Sequence, residues 1–160
     1  MKSYRRRAFQ KYGSGLGIRK DREIYMLYDK DIREPLFDFL EEAYGKLRII
    51  EEKQVGKSRA DIVMVLPGLL TGIEIKSDAD SYVRLSRQVK DYDRFFDRNM
   101  VVAGSSHAAH IREHVPGWWG IITVEQNDRE IDFYVLRQPQ ENPMMNWKRK
   151  LSLLWRPELA

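Results

Sequence analysis

Pro67-Gly68 sits between two runs rich in β-branched residues, Arg59-Ala-Asp-Ile-Val-Met-Val-Leu66 and Leu69-Leu-Thr-Gly-Ile-Glu-Ile-Lys76, and this leaves the chain few alternatives to an antiparallel hairpin. A turn centred between Pro67 and Gly68 pairs residues whose numbers sum to 135, which sets Asp61 opposite Glu74. Cross-strand neighbours have Cβ atoms about 4.5–5.5 Å apart, where two carboxylates destabilise the ladder unless a cation neutralises them. A divalent metal ion would do so. Side chains alternate along a strand, so Glu74 and Lys76 leave one face while Ile73 and Ile75 leave the other. Asp61, Glu74 and Lys76 are thereby predicted to converge.

The neighbouring segments supply the layers that such a hairpin needs. Ile32, Leu36, Phe39, Leu40 and Ala43 recur at helical spacing and predict a helix over 29–44 ending near Gly45, with Pro35 tolerated only close to its start. On it Asp31 and Glu34 are candidate acids, although carboxylates at a helix start also satisfy backbone amides and the macrodipole, the preferred reading. Leu47–Glu52 reads as the first strand. Ser77-Asp-Ala-Asp-Ser81 is rich in capping side chains, and the helix it opens puts Leu85, Val89, Tyr92 and Phe96 on one core stripe. Arg84, Gln88 and Tyr92 form a neighbouring stripe. Two readings stand for Gln88 and Tyr92: groups turned towards the carboxylates, or an exposed glutamine and a satisfied core aromatic.

Arg84, Arg87, Lys90 and Arg94 give the same helix a candidate phosphate-contacting face, which Asp91 and Asp93 interrupt as solvated charges. Asn99–Ala103 is a buried strand candidate and His107–Val115 a short helix, whose His107, His110 and His114 fit a polar helix face better than a metal site. Trp118–Val124 and Ile131–Leu136 read as two further strands joined by a turn over 126–129, with Trp118 and Trp119 as packing residues. Residues 138–146 read as a linker. Beyond it, Trp147, Leu151, Leu154 and Trp155 recur with helical period beside Lys148, Arg149 and Lys150, a basic amphipathic segment suited to the domain, a partner or nucleic acid.

An Asp opening one strand and Glu74-x-Lys76 on the next resemble the signature of the PD-(D/E)XK nuclease superfamily, with Ala60 where proline is usual. Gln88-x-x-x-Tyr92 is similar to a motif that some of its branches carry on the helix after the catalytic strand. The longer run Glu-Ile-Lys-Ser-Asp-x-Asp, with Arg84-Leu-x-Arg-Gln88, Trp118-Trp-Gly120, Asp31-Ile-Arg33 and Leu154-Trp-Arg-Pro-Glu-Leu159, resembles a little-characterised bacterial and phage branch. Members of that branch continue past this last motif, which leaves a truncated or a short form as the two readings of the chain's end.

The resemblance implies an α/β domain with a restriction-endonuclease-like core, a central mixed sheet flanked by helices in the order α-β-β-β-α-β. It implies a metal-dependent nuclease acting on DNA, in which Asp61, Glu74 and the Ile75 carbonyl hold Mg²⁺ or Mn²⁺ and Glu52 is an auxiliary ligand. Mg²⁺ prefers one or two carboxylates with water and substrate phosphate, in keeping with so sparse an acid set. Lys76 would activate the attacking water or stabilise developing charge, with Gln88 and Tyr92 beside it. The alternative is a catalytically silent nucleic-acid-binding module on the same fold. RNA as a substrate and a homodimer as the working form are left open.

Charge distribution adds a partner. Of 28 basic and 24 acidic residues, seven basic and no acidic ones fall in residues 1–20, leaving the other 140 with a net charge of −3. Residues 1–28 therefore read as a basic arm, with Arg5, Arg6 and Arg7 as candidate phosphate contacts and a solubilising tail as the other reading. Residues 29–137 are the expected nuclease domain and 138–160 the linker and C-terminal helix. The chain has no cysteine, so any metal must take oxygen or imidazole ligands. It also has no run of about 18 apolar residues and no apolar stretch behind its basic start, and the expectation is a cytoplasmic protein.

Overall fold

The computed structural model describes residues 25–128 and 130–154, so Arg5, Arg6 and Arg7 and most of the C-terminal motif lie outside the described residues. In chain order the elements are α1 (Asp29–Tyr44), β1 (Arg48–Val55), β2 (Ser58–Leu66), β3 (Leu69–Lys76), α2 (Leu85–Phe95), β4 (Arg98–Gly104), β5 (Gly120–Asn127), β6 (Glu130–Arg137) and α3 (Trp147–Leu154). The six strands form one sheet in sequence order. Strand β2 is antiparallel to both of its neighbours β1 and β3, strands β3, β4 and β5 are parallel, and β6 returns antiparallel on β5. The parallel step from β3 to β4 needs a crossover, and α2 supplies it. None of the described helices is long and apolar enough to cross a membrane.

The hairpin register is the one expected: Ile62 pairs with Ile73, Val63 with Gly72 and Leu66 with Leu69, around Gly68 at φ +71°. Alternation then assigns the faces. Ile62, Met64, Ile73 and Ile75 pack under α1 with Ile32, Leu36 and Leu40. Val63 and Leu70 pack on the opposite face with Leu85 and Tyr92 of α2, Phe96 just past its end and Leu153 of α3. Glu74 and Lys76 share the parity of Leu70, and Asp61 that of Val63, so all three belong to the α2 face. Gly72 makes that packing possible, because a Cβ there would lie 2.4 Å from the Phe96 ring.

Several segments depart from the expected reading. Asp78 and Asp80 do not cap α2: Asp80 accepts from the Ser77 N–H and hydroxyl, and Asp78 bridges the Leu27 N–H to the Ser106 N–H and hydroxyl. Spent on the loop, they leave α2 to begin at Leu85 without a side-chain cap. Residues 107–115 are not one helix but two 3-10 turns, Ser105–His107 and Ile111–Glu113. His107 and His114 both contact the Tyr82 ring, with centroids 4.8 and 3.9 Å away, whereas seven residues of α-helix would hold them about 10.5 Å apart. Leu27, assigned to the arm, is buried under α1, its N–H and carbonyl both bonded to Asp78. Pro35 lies six residues into α1 rather than at its start, where it withholds the N–H due to the Asp31 carbonyl.

The expected linker is a docked strap. The Asn142 side-chain amide donates to the Asp93 and Phe96 carbonyls, both at 2.8 Å, and the Asn146 N–H donates to the Arg94 carbonyl, so this segment satisfies the C-terminal carbonyls of α2. Its Pro- and Gln-rich composition reads as open linker because its partners are backbone atoms that no sequence pattern displays. Asn142→Ala would leave two buried acceptors unpaired, at about 1–3 kcal/mol, and is expected to lower Tm by several degrees and expose 138–146 to limited proteolysis. Unchanged melting and cleavage would mean that Leu153 alone holds the strap.

Candidate active site

Where the β2–β3 ladder ends, side chains take over from backbone pairing. Asp61 Oδ2 accepts the Ile75 N–H at 2.8 Å, which fixes the carboxylate one residue past its cross-strand partner Glu74. Glu74 is 2% exposed, and three donors close on it: Gln88 Nε2 to Oε1 at 2.5 Å, Lys76 Nζ at 3.3 Å from the same oxygen, and Tyr92 Oη to Oε2 at 2.5 Å. Lys76 Nζ also donates to Gln88 Oε1 at 3.2 Å, and Tyr92 Oη accepts the Asp61 N–H at 3.1 Å. Asp61, Glu74, Lys76, Gln88 and Tyr92 thus form one connected network. Gln88 and Tyr92 stand one turn apart on α2, the spacing that brings both side chains over β3.

Burial sets the electrostatics. Asp61 is pushed up to about 8, first by burial and then by the charge of Glu74, against the Ile75 N–H and Arg33, which lower it. Burial raises Glu74 as well, opposed by Lys76 and by the Tyr92 and Gln88 hydrogen bonds. Tyr92 is held far above the usual phenol range by burial and by Glu74, so it stays a proton donor. The exposed-glutamine reading of Gln88 fails because it and Tyr92 are both buried, with polar ends turned to the carboxylates. Tyr92→Phe, with Asp61 N–H and Glu74 each losing a buried partner, is expected to cost about 1–3 kcal/mol in a thermal melt. A melt identical to the wild type would mean that water replaces the hydroxyl.

Arg33 is a residue that the sequence shows only within the Asp31-Ile-Arg33 motif, without a role. From α1 its guanidinium reaches Asp29 Oδ2 at 2.6 Å, Glu51 at 3.0 Å, Glu52 at 2.5 Å, the Asp61 carbonyl at 3.3 Å and Asp61 Oδ1 at 3.8 Å. Burial works against its charge, but Asp29, Glu51 and Glu52 more than reverse this, and its pKa is raised. The Asp29–Arg33 spacing of four and the adjacent acids Glu51 and Glu52 were the available signals.

Glu52 lies opposite Asp61, between the pairs Glu51–Ile62 and Lys53–Ala60, with φ at +54°. Ile50 and Val55 face the same core although five positions apart, so the strand's alternation changes at this left-handed residue. Its carboxylate is held by Arg33 and by Arg59 at 2.7 Å, not turned to the Asp61–Glu74 pair. Asp31 accepts the Tyr28 N–H at the start of α1. His107 is bonded to Tyr82 and the Ser77 carbonyl, His114 stacks on Tyr82, and among the described residues no group of three or more carboxylates and histidines is placed to share an ion. Trp118 and Trp119 pack as expected, both indoles donating to Asp93 Oδ1.

That last contact corrects the reading of α2. Asp93 is buried under the tryptophans and Asn99, and Asp91 is buried beneath Ser58, whose hydroxyl donates to it at 2.6 Å. Neither dilutes the outer face. Arg84, Arg87, Lys90 and Arg94 are exposed, and no carboxylate among the described residues pairs with them.

A family model described as bacteriophage P4 protein cII matches residues 22–160. The chain belongs to that family. Protein cII of Enterobacteria phage P4 is 27% identical over 101 residues, 63% of this chain but 38% of the phage protein, so the chain spans well under half the length of that cII relative. SPO1766, a protein of unknown function from Silicibacter pomeroyi, shares the fold with a TM-score of 0.52 and 23% identity over 71% of this chain and 73% of its own. Pyrococcus furiosus SfsA, solved in complex with Ca²⁺, is more distant: TM-score 0.41 and 15% identity over 73% of this chain and 63% of that one. The cII description names no nuclease, and SPO1766 brings fold without function.

Proposed function

We propose that this cII-family chain is a divalent-metal-dependent nuclease that hydrolyses DNA phosphodiesters at the Asp61–Glu74 site. The observation that carries the reading is the network itself: two adjacent carboxylates, both with raised affinity for protons, lie beside a buried ammonium and have Gln88 and Tyr92 packed over them. A structural ion pair needs one acid for Lys76. The second, Asp61, has in Arg33 at 3.8 Å a cation already shared with three nearer carboxylates, so its charge is only partly answered, a condition under which a divalent cation binds well. The donor set fits Mg²⁺ or Mn²⁺, because two carboxylates and the Ile75 carbonyl leave room for water and phosphate. When bound, such an ion supplies Lewis acidity to the phosphoryl oxygen and lowers the pKa of attacking water.

The chain's own residues have separable tasks. Gln88 spans Glu74 and Lys76 and fixes the ammonium against the carboxylate. Lys76 supplies positive charge where the phosphorane builds negative charge. Tyr92 ties Glu74 to the backbone of Asp61, so that both acids keep one geometry. Arg33 holds Asp61 from its other side and keeps Glu51 and Glu52 off it.

The silent-binder reading draws on the burial of Glu74 and Lys76. Labelled single-stranded, duplex, flapped and four-way DNA, with an RNA strand alongside, incubated with Mg²⁺ or Mn²⁺ separates the two. Cleavage by the wild type, abolished in Lys76→Met, supports hydrolysis. Binding without cleavage of any substrate in either metal would leave a binding module.

A further inference from the structure

We infer that α2 and α3 together form a binding track for single-stranded DNA, with the Trp147 indole as a base-stacking platform at its far end. This names the substrate of the proposed nuclease and to that extent rests on it, but the track is built from residues outside the reaction site. Arg87, Lys90 and Arg94 fall on one stripe of α2 at spacings of three and four, with Arg84 at the end nearest Gln88. The only acids of α2, Asp91 and Asp93, are turned inward and spent on Ser58, Asn99 and the tryptophans. The outward face of this helix is therefore cationic along its whole length.

The stripe continues without a break in structure. The Asn146 N–H is bonded to the Arg94 carbonyl, and the next residue, Trp147, opens α3, which packs on α2 through Leu153. With Leu153 inward, Trp147 and Leu151 point out, 60% and 48% exposed, and the Lys148 ammonium lies 5.7 Å from the Trp147 ring centre. Lys148 and Arg149 are exposed and pair with no carboxylate among the described residues. Lys150 differs, being held by Asp97 at 2.7 Å. A cationic row that ends at an exposed indole matches a strand with phosphates along one side and free base faces on the other. Duplex DNA offers the phosphates but hides the faces. An apolar protein partner would use Trp147 and Leu151 but would leave the row of four cations on α2 unanswered.

The test is equilibrium binding of a fluorescent oligothymidine and of a duplex of the same length, with chelator present so that no hydrolysis intervenes. Trp147 is exposed, so its replacement should leave Tm unchanged. Trp147→Ala is expected to weaken single-strand binding about 5- to 150-fold, the worth of one stacked base, while duplex binding changes little. Trp147→Phe should recover most of the loss. Replacing Arg87, Lys90 and Arg94 by glutamine should flatten the dependence of log affinity on log salt by roughly 2 on single strands. Equal losses on duplex and single strand, or an unchanged affinity in Trp147→Ala, would overturn the stacking assignment. Binding is read in chelator, without turnover, and cleavage of the same oligothymidine by the wild type is read with Mg²⁺ added, so a failure of hydrolysis with the track intact is distinguishable from a failure of the track.

Discussion

Asp61→Asn is expected to make the metal-free protein more stable while removing both the proposed stabilisation by Mg²⁺ and the proposed nuclease activity. Asparagine keeps the oxygen that accepts the Ile75 N–H and changes almost no volume, so backbone and packing are preserved. It removes a charge that burial and Glu74 both disfavour. The cost is the attraction of Arg33 at 3.8 Å, but that guanidinium keeps three nearer carboxylates, and the repulsion relieved is the larger effect. A gain of about 1–2 kcal/mol at pH 8, or roughly 2–8 °C in Tm, is expected. Hydrolysis should fall on the order of a thousand-fold, which is what several kcal/mol of lost metal-ion stabilisation amounts to.

The pH dependence has a definite sign. Asp61 is pushed up to about 8 in the folded chain and returns to the ordinary carboxylate value of 3.8 when unfolded, so between those limits the native state holds a proton that the unfolded state has released. Stability of the metal-free wild type must therefore fall as pH rises from 4 through 8, and Glu74, raised in the same direction, adds to the slope. A divalent ion held at the proposed site would bind the deprotonated pair, and only in the native chain, so it should recover Tm most at the alkaline end. Melting curves from pH 5 to 9, with chelator or with Mg²⁺, measure this directly. A stability that rises with pH in chelator, and a destabilised Asp61→Asn, would make the two acids structural.

What the sequence disclosed and what it withheld divide along physical lines. The hairpin was legible because Pro67-Gly68 and period-two alternation are local, and a fixed register carries Asp61 to Glu74 without further assumption. The α2 spacing of Gln88 and Tyr92 was likewise readable, but not whether they faced in or out, because Leu85, Val89, Tyr92 and Phe96 define an apolar stripe whose polar neighbours fit either side. Asp91 and Asp93 were misread for the same reason: a charge on a helix is assumed solvated until Ser58 and two indoles are brought to it from distant parts of the chain. The capping-rich 77–81 segment failed differently. Its side chains are correct for a cap but were claimed by closer backbone donors at Ser77 and Leu27 and by Ser106.

Arg33 has the largest expected effect outside the proposed metal site. Its guanidinium is 16% exposed and is the shared cation of Asp29, Glu51, Glu52 and Asp61, while among the described residues only Glu52 has a second one, Arg59. Glu52 is also held at φ +54°, a conformation that costs on the order of 1–3 kcal/mol in a non-glycine residue and persists when its surroundings impose it. Arg33→Met keeps much of the apolar stem and deletes the charge. Breaking a buried pair costs about 3–5 kcal/mol, but three of the four acids here are 40–48% exposed and water will screen them, so about 2 kcal/mol is the reasonable expectation. At pH 8 in chelator, Tm should drop by roughly 4–8 °C. The loss should shrink on lowering the pH towards 5, because Asp61 then takes up a proton and no longer needs a cation, and should shrink at pH 8 when Mg²⁺ is added, since a metal on Asp61 replaces part of the missing charge. A purely packing role for Arg33 predicts neither recovery: a deficit independent of both pH and metal would detach Arg33 from the acid pair and leave Asp61 to be held by Ile75 and Tyr92 alone.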